Sequence, residues 1–382
     1  MRLRREPWGA WAMLDAQPIL VALSHEAVDA LGVPRGPLPE GPRPPLEAHV
    51  AVTERCGAGC VGCYVDARPD GHEPSFADLD ARLAELARLG VLVVALGGGE
   101  PTTREDLGEV ARAAKRHGLS VVATTSGLGL REEQVRALTE LDAVNVSYDG
   151  AGDTYEDVRG FRGSVGAEAA IQKLAAAGVH VGVNVVLTSQ SLPQLRATVE
   201  RAISLGAREV QLLRYKPSGR ARSLDYFAKR LTPSEVDSLG EQVAELAAAI
   251  SGRARLRIDC ALVPLLSTHA AFANVATLEQ YGVFGCEAGE NLWAVRARGA
   301  VAPCSFLGGD EGTALPSAST APSLLAFRAW NAAPDEPCAS CTLFRVCKGG
   351  CKVVSGFVSE AHGPDPECPR VRSSALGAAG EA

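Results

Sequence analysis

From residue 49 the chain alternates short apolar runs of β character with amphipathic stretches, and this alternation limits the fold more than any other feature. Strands are expected at His49–Thr53, Val91–Leu96, Ser120–Thr125, Ala143–Ser147, Val181–Leu187 and Glu209–Leu213. Helices are expected between them at Phe76–Leu89, Leu107–His117, Glu132–Leu141, Ala167–Ala177 and Leu192–Leu205. Gly90, Gly118, Gly178 and Gly206 stand between a helix and the next strand, where a left-handed residue stops the helix. Such alternation builds a parallel sheet with right-handed crossovers. The expected fold class is α/β: an incomplete (β/α)6 TIM-like barrel followed by a small Cys-rich C-terminal domain. A doubly wound open sheet is the alternative. Either fold puts its chemistry at the carboxyl ends of the strands.

The 382 residues divide into five expected parts. Residues 1–48 form an N-terminal arm: a hairpin over Trp8–Leu23 turning at Asp15–Pro18, a helix Glu26–Leu31 capped by Ser24, and a Pro-rich linker, Pro34–Pro45. The arm reads as a packing element or as the remnant of a peptide-docking module. The barrel spans 49–230, with Pro217–Arg230 read as a loop. A bridge spans 231–280, with a helix opened by Thr232-Pro233-Ser234-Glu235 and a strand at Arg255–Ile258. The Cys-rich domain spans 281–370, and residues 371–382 read as a frayed tail. Lys plus Arg number 38 against 45 Asp plus Glu, so no overall basic charge points to nucleic acid. No apolar run approaches membrane-spanning length. The N-terminal Met-Arg-Leu-Arg-Arg does not read as an export signal, and a cytoplasmic chain with clustered cysteines is expected to bind metal rather than form disulfides.

Three of the 11 cysteines, Cys56, Cys60 and Cys63, form Cys-x3-Cys-x2-Cys just after the first barrel strand. Three thiolates on one tight loop can hold three irons of a cubane and leave the fourth open, whereas a cluster used only for electron transfer usually has four cysteines. Zinc is the rival, but it prefers a fourth Cys or His, and the nearest candidate is His72.

This spacing resembles that of the radical S-adenosylmethionine (SAM) enzymes. Gly97-Gly98-Gly99-Glu100-Pro101 resembles their Gly-Gly-Glu-Pro motif after the second strand, and Ser147-Tyr148-Asp149-Gly150 their Ser-x-Asp-Gly motif after the fourth. Arg159 follows in the position seen in the maturase branch. The resemblance covers about residues 48–215 and implies reductive cleavage of SAM to a 5′-deoxyadenosyl radical. It places Cys56, Cys60 and Cys63 on the catalytic cluster, and Gly98, Gly99 and Glu100 at the SAM amino group. Ser147 and Arg159 go to its carboxylate and Ser126 to the ribose. Asn184 is a further SAM contact or an ordinary polar group inside the barrel. Where relatives often carry an aromatic residue before the third cysteine this chain has Gly62, with Tyr64 or Val61 as substitutes.

Seven more cysteines lie at Cys286, Cys304, Cys338, Cys341, Cys347, Cys351 and Cys368. A structural zinc at the four from Cys338 to Cys351 would leave three unexplained. Their order resembles the SPASM domain of radical SAM enzymes, an iron–sulfur domain with two auxiliary [4Fe–4S] clusters. The resemblance implies Cys286, Cys304 and Cys351 on the first and Cys338, Cys341, Cys347 and Cys368 on the second. Some relatives carry a further cysteine where this chain has Leu292, so the first set ends in an open iron or an unusual ligand such as Glu287, Glu290 or Cys260; Cys260 also reads as an ordinary buried thiol. Three [4Fe–4S] clusters and SAM are thus the expected cofactors.

SPASM-bearing relatives are mostly maturases, which implies a ribosomally made precursor peptide as substrate, a separate leader-peptide-binding protein, and a flavodoxin- or ferredoxin-type electron donor. A small-molecule substrate such as a tetrapyrrole or sugar is the second reading, and a non-catalytic scaffold the third. Asp149, Tyr148 and Tyr215 are candidate proton acceptors. The run Arg214–Arg220 reads as a cleft lining or a solvated basic loop.

Overall fold

The computed structural model describes residues 1–14, 20–33, 38, 43–310, 312–313 and 315–380. The Asp15–Pro18 turn and most of the Pro-rich linker lie outside them.

The described residues form two sheets. The first belongs to the arm. β1 (Arg2–Glu6), β2 (Gly9–Met13) and β3 (Leu20–Ser24) make an antiparallel meander, so the expected hairpin has a third strand. β1 is missed from sequence because Arg2, Arg4, Arg5 and Glu6 leave almost no apolar alternation. Tertiary partners hold it: Arg4 Nη1 donates to the Pro44 carbonyl at 2.8 Å and Glu6 pairs with Arg43 at 2.9 Å. Ser24 caps the helix His25–Ala30 by accepting the Ala27 N–H.

The second sheet is the barrel. β4 (Glu47–Thr53), β5 (Val93–Gly98), β6 (Ser120–Thr125), β7 (Ala143–Ser147), β8 (Val181–Leu187) and β9 (Glu209–Arg214) pair in parallel, each with its successor. The end strands do not pair, so the barrel is incomplete. Two pairings lengthen the sheet at its edges. β10 (Arg255–Ile258) adds beside β9, and β11 (Leu292–Val295), hairpinned to β12 (Val301–Ala302), adds in parallel beside β4. One sheet therefore runs through the barrel, the bridge and the start of the Cys-rich region.

Alternate side chains of each strand face opposite ways. Val50, Val52, Val94, Leu96, Val121, Val144, Val146, Val183, Val185, Val210 and Leu212 are buried in one core with the helix faces. Burying each such side chain stabilises by about 1.5–3 kcal/mol. The intervening positions, including Thr124, Asn145 and Asn184, form a more polar inner row; Asn184 Nδ2 donates to Thr124 Oγ1 at 3.3 Å.

Two expectations need correction. Pro217–Arg230 is not a plain loop: Gly219–Ala221 forms a 3-10 turn and Asp225–Lys229 a short helix. The tail is helical over Pro369–Gly380 rather than frayed, because Arg370 donates to the Ser267 carbonyl at 2.9 Å and Arg372 pairs with Asp237 at 2.8 Å.

Candidate active site and thiol sets

The end of β4 runs into the Cys56–Cys63 loop. Gly98 and Gly99 permit this: Gly98 has φ +103°, and an added Cβ would lie 2.2 Å from the Thr53 carbonyl oxygen. A Cβ on Gly99 would lie 2.2 Å from the Arg55 carbonyl oxygen. That close approach lets Gly99 N–H donate to Thr53 at 2.7 Å and Glu100 N–H to Arg55 at 2.8 Å. The Gly-Gly-Glu turn and the cysteine loop are thus one backbone unit.

Glu100 stands at the mouth of the barrel. Its Oε1 accepts from the hydroxyls of Thr102 and Thr125 at 2.8 and 2.7 Å. Its Oε2 accepts from the backbone N–H and hydroxyl of Ser126, both at 2.7 Å. Glu100 and Ser126 therefore form one hydrogen-bonded unit across β5 and β6. Ser147 is buried at the end of β7, and Asn184 lies beside it on β8. Asn184 Oδ1 is buried with no partner, an acceptor inside the barrel that a bound ligand could satisfy.

Arg159 is aimed by Asp149, whose Oδ2 accepts from Nε at 2.5 Å and whose Oδ1 accepts from Val186 N–H at 2.7 Å. Burial opposes the charge on Arg159, but Asp149, Cys60 and Tyr155 outweigh it and hold the guanidinium protonated. The Arg159 carbonyl also accepts from Val61 N–H at 3.0 Å, tying it to the cysteine loop. Both Asp149 oxygens are committed, so it positions Arg159 rather than taking a substrate proton. Tyr148 is no acceptor either. Its side chain is fully buried and points out of the lumen to donate to Glu168 at 2.8 Å.

Val61 is half exposed and Tyr64 lies against Phe306 of the Cys-rich region, with ring centres 4.5 Å apart. The ring that meets Gly62 is Tyr215, at 3.0 Å from a Cβ built there. Tyr215 in turn stacks on Tyr226.

Cys56, Cys60 and Cys63 are partly exposed, and all eleven cysteines are free. Burial, then the charges of Glu100, Cys60 and Cys63, push the Cys56 thiol up. The three thiols thus share one electrostatic neighbourhood. The run Arg214–Arg220 is not a solvated loop, since Arg214, Tyr215, Lys216 and Ser218 are buried. Arg220 donates to the Cys60 carbonyl at 2.9 Å and to Ala67 at 2.9 Å, and pairs with Asp66 at 2.8 Å. Ser218 donates to the carbonyl of Tyr64 or of Phe306, at 2.8 and 2.7 Å. The segment braces the cysteine loop against the C-terminal region.

The other thiols fall into two groups. Cys286, Cys304 and Cys351 share one buried cluster with Tyr215, Tyr226, Ala261 and Phe327. Burial first, then Cys286 and Cys351, push Cys304 up to about 12. Cys338, Cys341, Cys347 and Cys368 line one small cavity with Pro264 and Leu343. The chain beside Cys286 presses on the second group: Gly285 N–H donates to the Val346 carbonyl at 2.9 Å, and a Cβ there would lie 2.1 Å from the Cys347 carbonyl oxygen.

A buried ionic network joins these groups to the barrel. Arg214 bonds Asp365 at 2.6 and 3.1 Å and Glu367 at 2.7 Å. Asp365 accepts Cys351 N–H at 2.9 Å, and Glu367 also takes Arg230 at 2.6 Å and the Tyr226 hydroxyl at 2.9 Å. Lys216 pairs with Asp259 at 2.6 Å and lies 4.1 Å over the Phe306 ring. Sequence reasoning missed Thr125, Lys216, Arg220, Asp259, Asp365 and Glu367; the basic run after β9 was the available signal.

The radical SAM superfamily pattern matches residues 50–202. The mycofactocin maturase MftC of Mycobacterium ulcerans (strain Agy99) is 30% identical over 336 residues, covering 83% of this chain and 86% of that protein. The chain belongs to the radical SAM superfamily. The PqqA peptide cyclase of Rhodopseudomonas palustris is 26% identical over 343 residues, covering 85% of this chain and 86% of that one. Among solved structures, Streptococcus suis SuiB bound to precursor peptide SuiA has a TM-score of 0.68 at 20% identity, covering 85% of this chain and 76% of that one. An anSMEcpe structure with AdoMet and the Cp18Cys peptide has a TM-score of 0.66 at 16% identity, covering 88% and 97%. These likenesses show the partial barrel fold.

As a radical SAM enzyme the chain uses SAM and [4Fe–4S] chemistry, and its donors fit both. No three His, Cys, Asp or Glu side chains among the described residues close around a single metal ion, as a mononuclear zinc site would require. The thiols are instead gathered in three sets, Cys56, Cys60 and Cys63 on one loop, Cys286, Cys304 and Cys351 in one buried cluster and Cys338, Cys341, Cys347 and Cys368 around one cavity. The unpartnered Asn184 Oδ1 provides a free acceptor for an ammonium, Glu100, whose oxygens already take Thr102, Thr125 and Ser126, a negative charge beside it, and Arg159 a cation for a carboxylate. No helix among the described residues is long and apolar enough to cross a membrane.

Proposed function

We propose that this chain is a radical SAM maturase of a ribosomally made precursor peptide. When bound, the cluster and SAM would supply a reductively generated 5′-deoxyadenosyl radical for hydrogen abstraction from the peptide. Cys56, Cys60 and Cys63 hold that cluster. Glu100, with Gly98 and Gly99 setting its backbone, receives the amino group. Arg159, aimed by Asp149, and Ser147 receive the carboxylate. Ser126 meets the ribose, and Asn184 completes the polar wall. Cys286, Cys304 and Cys351 hold a first auxiliary cluster, and Cys338, Cys341, Cys347 and Cys368 a second. The observation that carries the reading is the single backbone unit joining Glu100 to a partly exposed three-thiol loop, braced through Arg220 against a domain with seven further thiols. Peptide substrates are supported by the relatives' names: a maturase and a peptide cyclase, each covered over most of its length. Electrons arrive from a flavodoxin- or ferredoxin-type donor, and a separate protein presents the leader peptide.

The test is anaerobic reconstitution with iron and sulfide, then incubation with SAM, reductant and a short peptide encoded beside this chain. The expected result is 5′-deoxyadenosine together with a mass change in the peptide. 5′-Deoxyadenosine without any change in the encoded peptides, or with turnover of a small molecule instead, would overturn the substrate assignment. No 5′-deoxyadenosine from cluster-loaded protein would overturn the site.

A further inference from the structure

The first auxiliary set has three thiols for four irons, and the structure narrows the choice of a fourth ligand. Glu287 and Glu290 are both taken by Lys348, at 3.1 Å for Glu287, and they line a different cavity with Trp8 and Trp11. Asn291 and Asn331 hold them further in that direction. Asp365 is filled by Arg214 and Cys351 N–H. Leu292, where some relatives place a cysteine, is in β11.

Cys260 lies elsewhere in sequence, in the turn after β10, yet both of its chain neighbours are tied to the loops carrying the three thiols. On one side, Asp259 grips Lys216 at 2.6 Å, and Lys216 sits 4.1 Å over the ring of Phe306, two residues after Cys304. On the other, the Ala261 carbonyl accepts from Arg214 at 3.1 Å, and Arg214 holds Asp365, which holds the backbone of Cys351. Ala261 is itself buried in the cluster that contains Cys286, Cys304 and Cys351. The Cys260 thiol itself donates to Asp259 Oδ1 at 3.4 Å, on the carboxylate that grips Lys216. A fourth cysteine thus stands on a turn tied to the loops of all three thiols that were legible by spacing.

We infer that Cys260 is the fourth ligand of the first auxiliary cluster, closing it to substrate. This rests on the reading above that Cys286, Cys304 and Cys351 hold such a cluster. Ligation exchanges water on the fourth iron for the Cys260 thiolate; the thiol proton goes to solvent and no electron is transferred. A cluster with four thiolates is suited to passing electrons rather than binding a peptide group.

The experiment compares apo and anaerobically reconstituted full-length protein, with iodoacetamide as the probe and mass spectrometry of each cysteine. Cys260 should be alkylated at least about tenfold more slowly in the loaded protein, since ligation removes the nucleophilic thiolate. Equal labelling would overturn the inference. In a Cys60→Ala parent, which lacks the open loop cluster, C260A and C260S should then show electron–nuclear coupling to added 15N-imidazole, and a three-iron signal on mild oxidation, neither of which the Cys60→Ala parent shows. Imidazole coupling in the Cys60→Ala parent, or spectra of its C260A and C260S derivatives indistinguishable from it, would also overturn the inference. If either variant fails to fold, the alkylation result on the unaltered chain decides. C286A separates the two levels: it should lose about four irons per chain. If it loses none, the auxiliary cluster itself is absent, and the reading of the domain fails rather than the assignment of Cys260.

Discussion

The thiols at residues 56–63 are partly exposed, whereas six of the seven at 286–368 are buried. Their surroundings differ as much as their exposure. The first three stand on a loop whose backbone is fixed by its neighbours, next to a carboxylate and an unpartnered amide oxygen. The others sit among packed aromatic rings and buried ion pairs. A site that exchanges a ligand at each turnover needs access and spare acceptors. A group that only carries charge is best sealed, with fixed cations beside it.

The sharpest way to break this comparison is Cys60→Ala. It should lower 5′-deoxyadenosine formation by more than about a thousandfold and remove about four irons, leaving the C-terminal iron in place. Iron counting and product chromatography check both. If C-terminal iron is lost as well, the two regions are not independent.

Arg214→Met comes next. It leaves Asp365 and Glu367 without their buried partner, and breaking such a pair costs about 3–5 kcal/mol. Thermal unfolding of the loaded protein should shift down accordingly, and the C-terminal iron should be the first lost. An unchanged midpoint would show that the network is dispensable.

Arg220→Met probes the brace between the regions. The cysteines remain, but the Cys60 carbonyl, Asp66 Oδ1 and the Ala67 carbonyl lose the bonds that Arg220 donates. Loss of such support behind a metal ligand typically costs about 10–100-fold in activity or affinity. The rate of 5′-deoxyadenosine formation should fall in that range while iron in the C-terminal sets stays constant.

The smallest effect is one of pH. Burial pushes Cys304 up to about 12 and Cys338 and Cys351 up to about 11, from an ordinary 9.0, with Lys352 pulling Cys338 and Lys216 and Arg214 pulling Cys351 part of the way back. These are thiols kept neutral by the fold, so their contribution to apo stability is complete below about pH 9. It declines as pH rises through 9 to 12, where the unfolded chain ionises first. Apo protein should melt progressively lower from pH 8 to pH 10. Loaded protein should not follow, since its thiols are already deprotonated on iron. Parallel melting curves would show that these cysteines do not ligate.

The barrel was legible because its signals are local. A glycine stops four of the five barrel helices within its own turn, and Ser120–Thr125, Ala143–Ser147 and Val181–Leu187 begin and end where the apolar runs do. The cysteine loop and Glu100 were legible for the same reason. The brace and the ion network were not. Arg214 and Asp365 are 151 positions apart, and nothing near either marks it as buried. β1 was hidden by its charges, which are answered by distant groups such as Pro44, Arg43 and Asn291. Tyr148 was misjudged because a motif gives spacing without the direction a side chain takes.

The pairing of β11 with β4 sets Leu292 opposite Glu47, 245 residues apart (292 − 47). While the chain leaves the ribosome at roughly 5–20 residues per second, the rim of the nascent barrel therefore waits on the order of 10–50 s for its neighbour. Throughout that interval it offers a row of unsatisfied amides to any passing strand. The arm bonds the chain just ahead of β4, through Arg4 and the Pro44 carbonyl, without pairing to this edge.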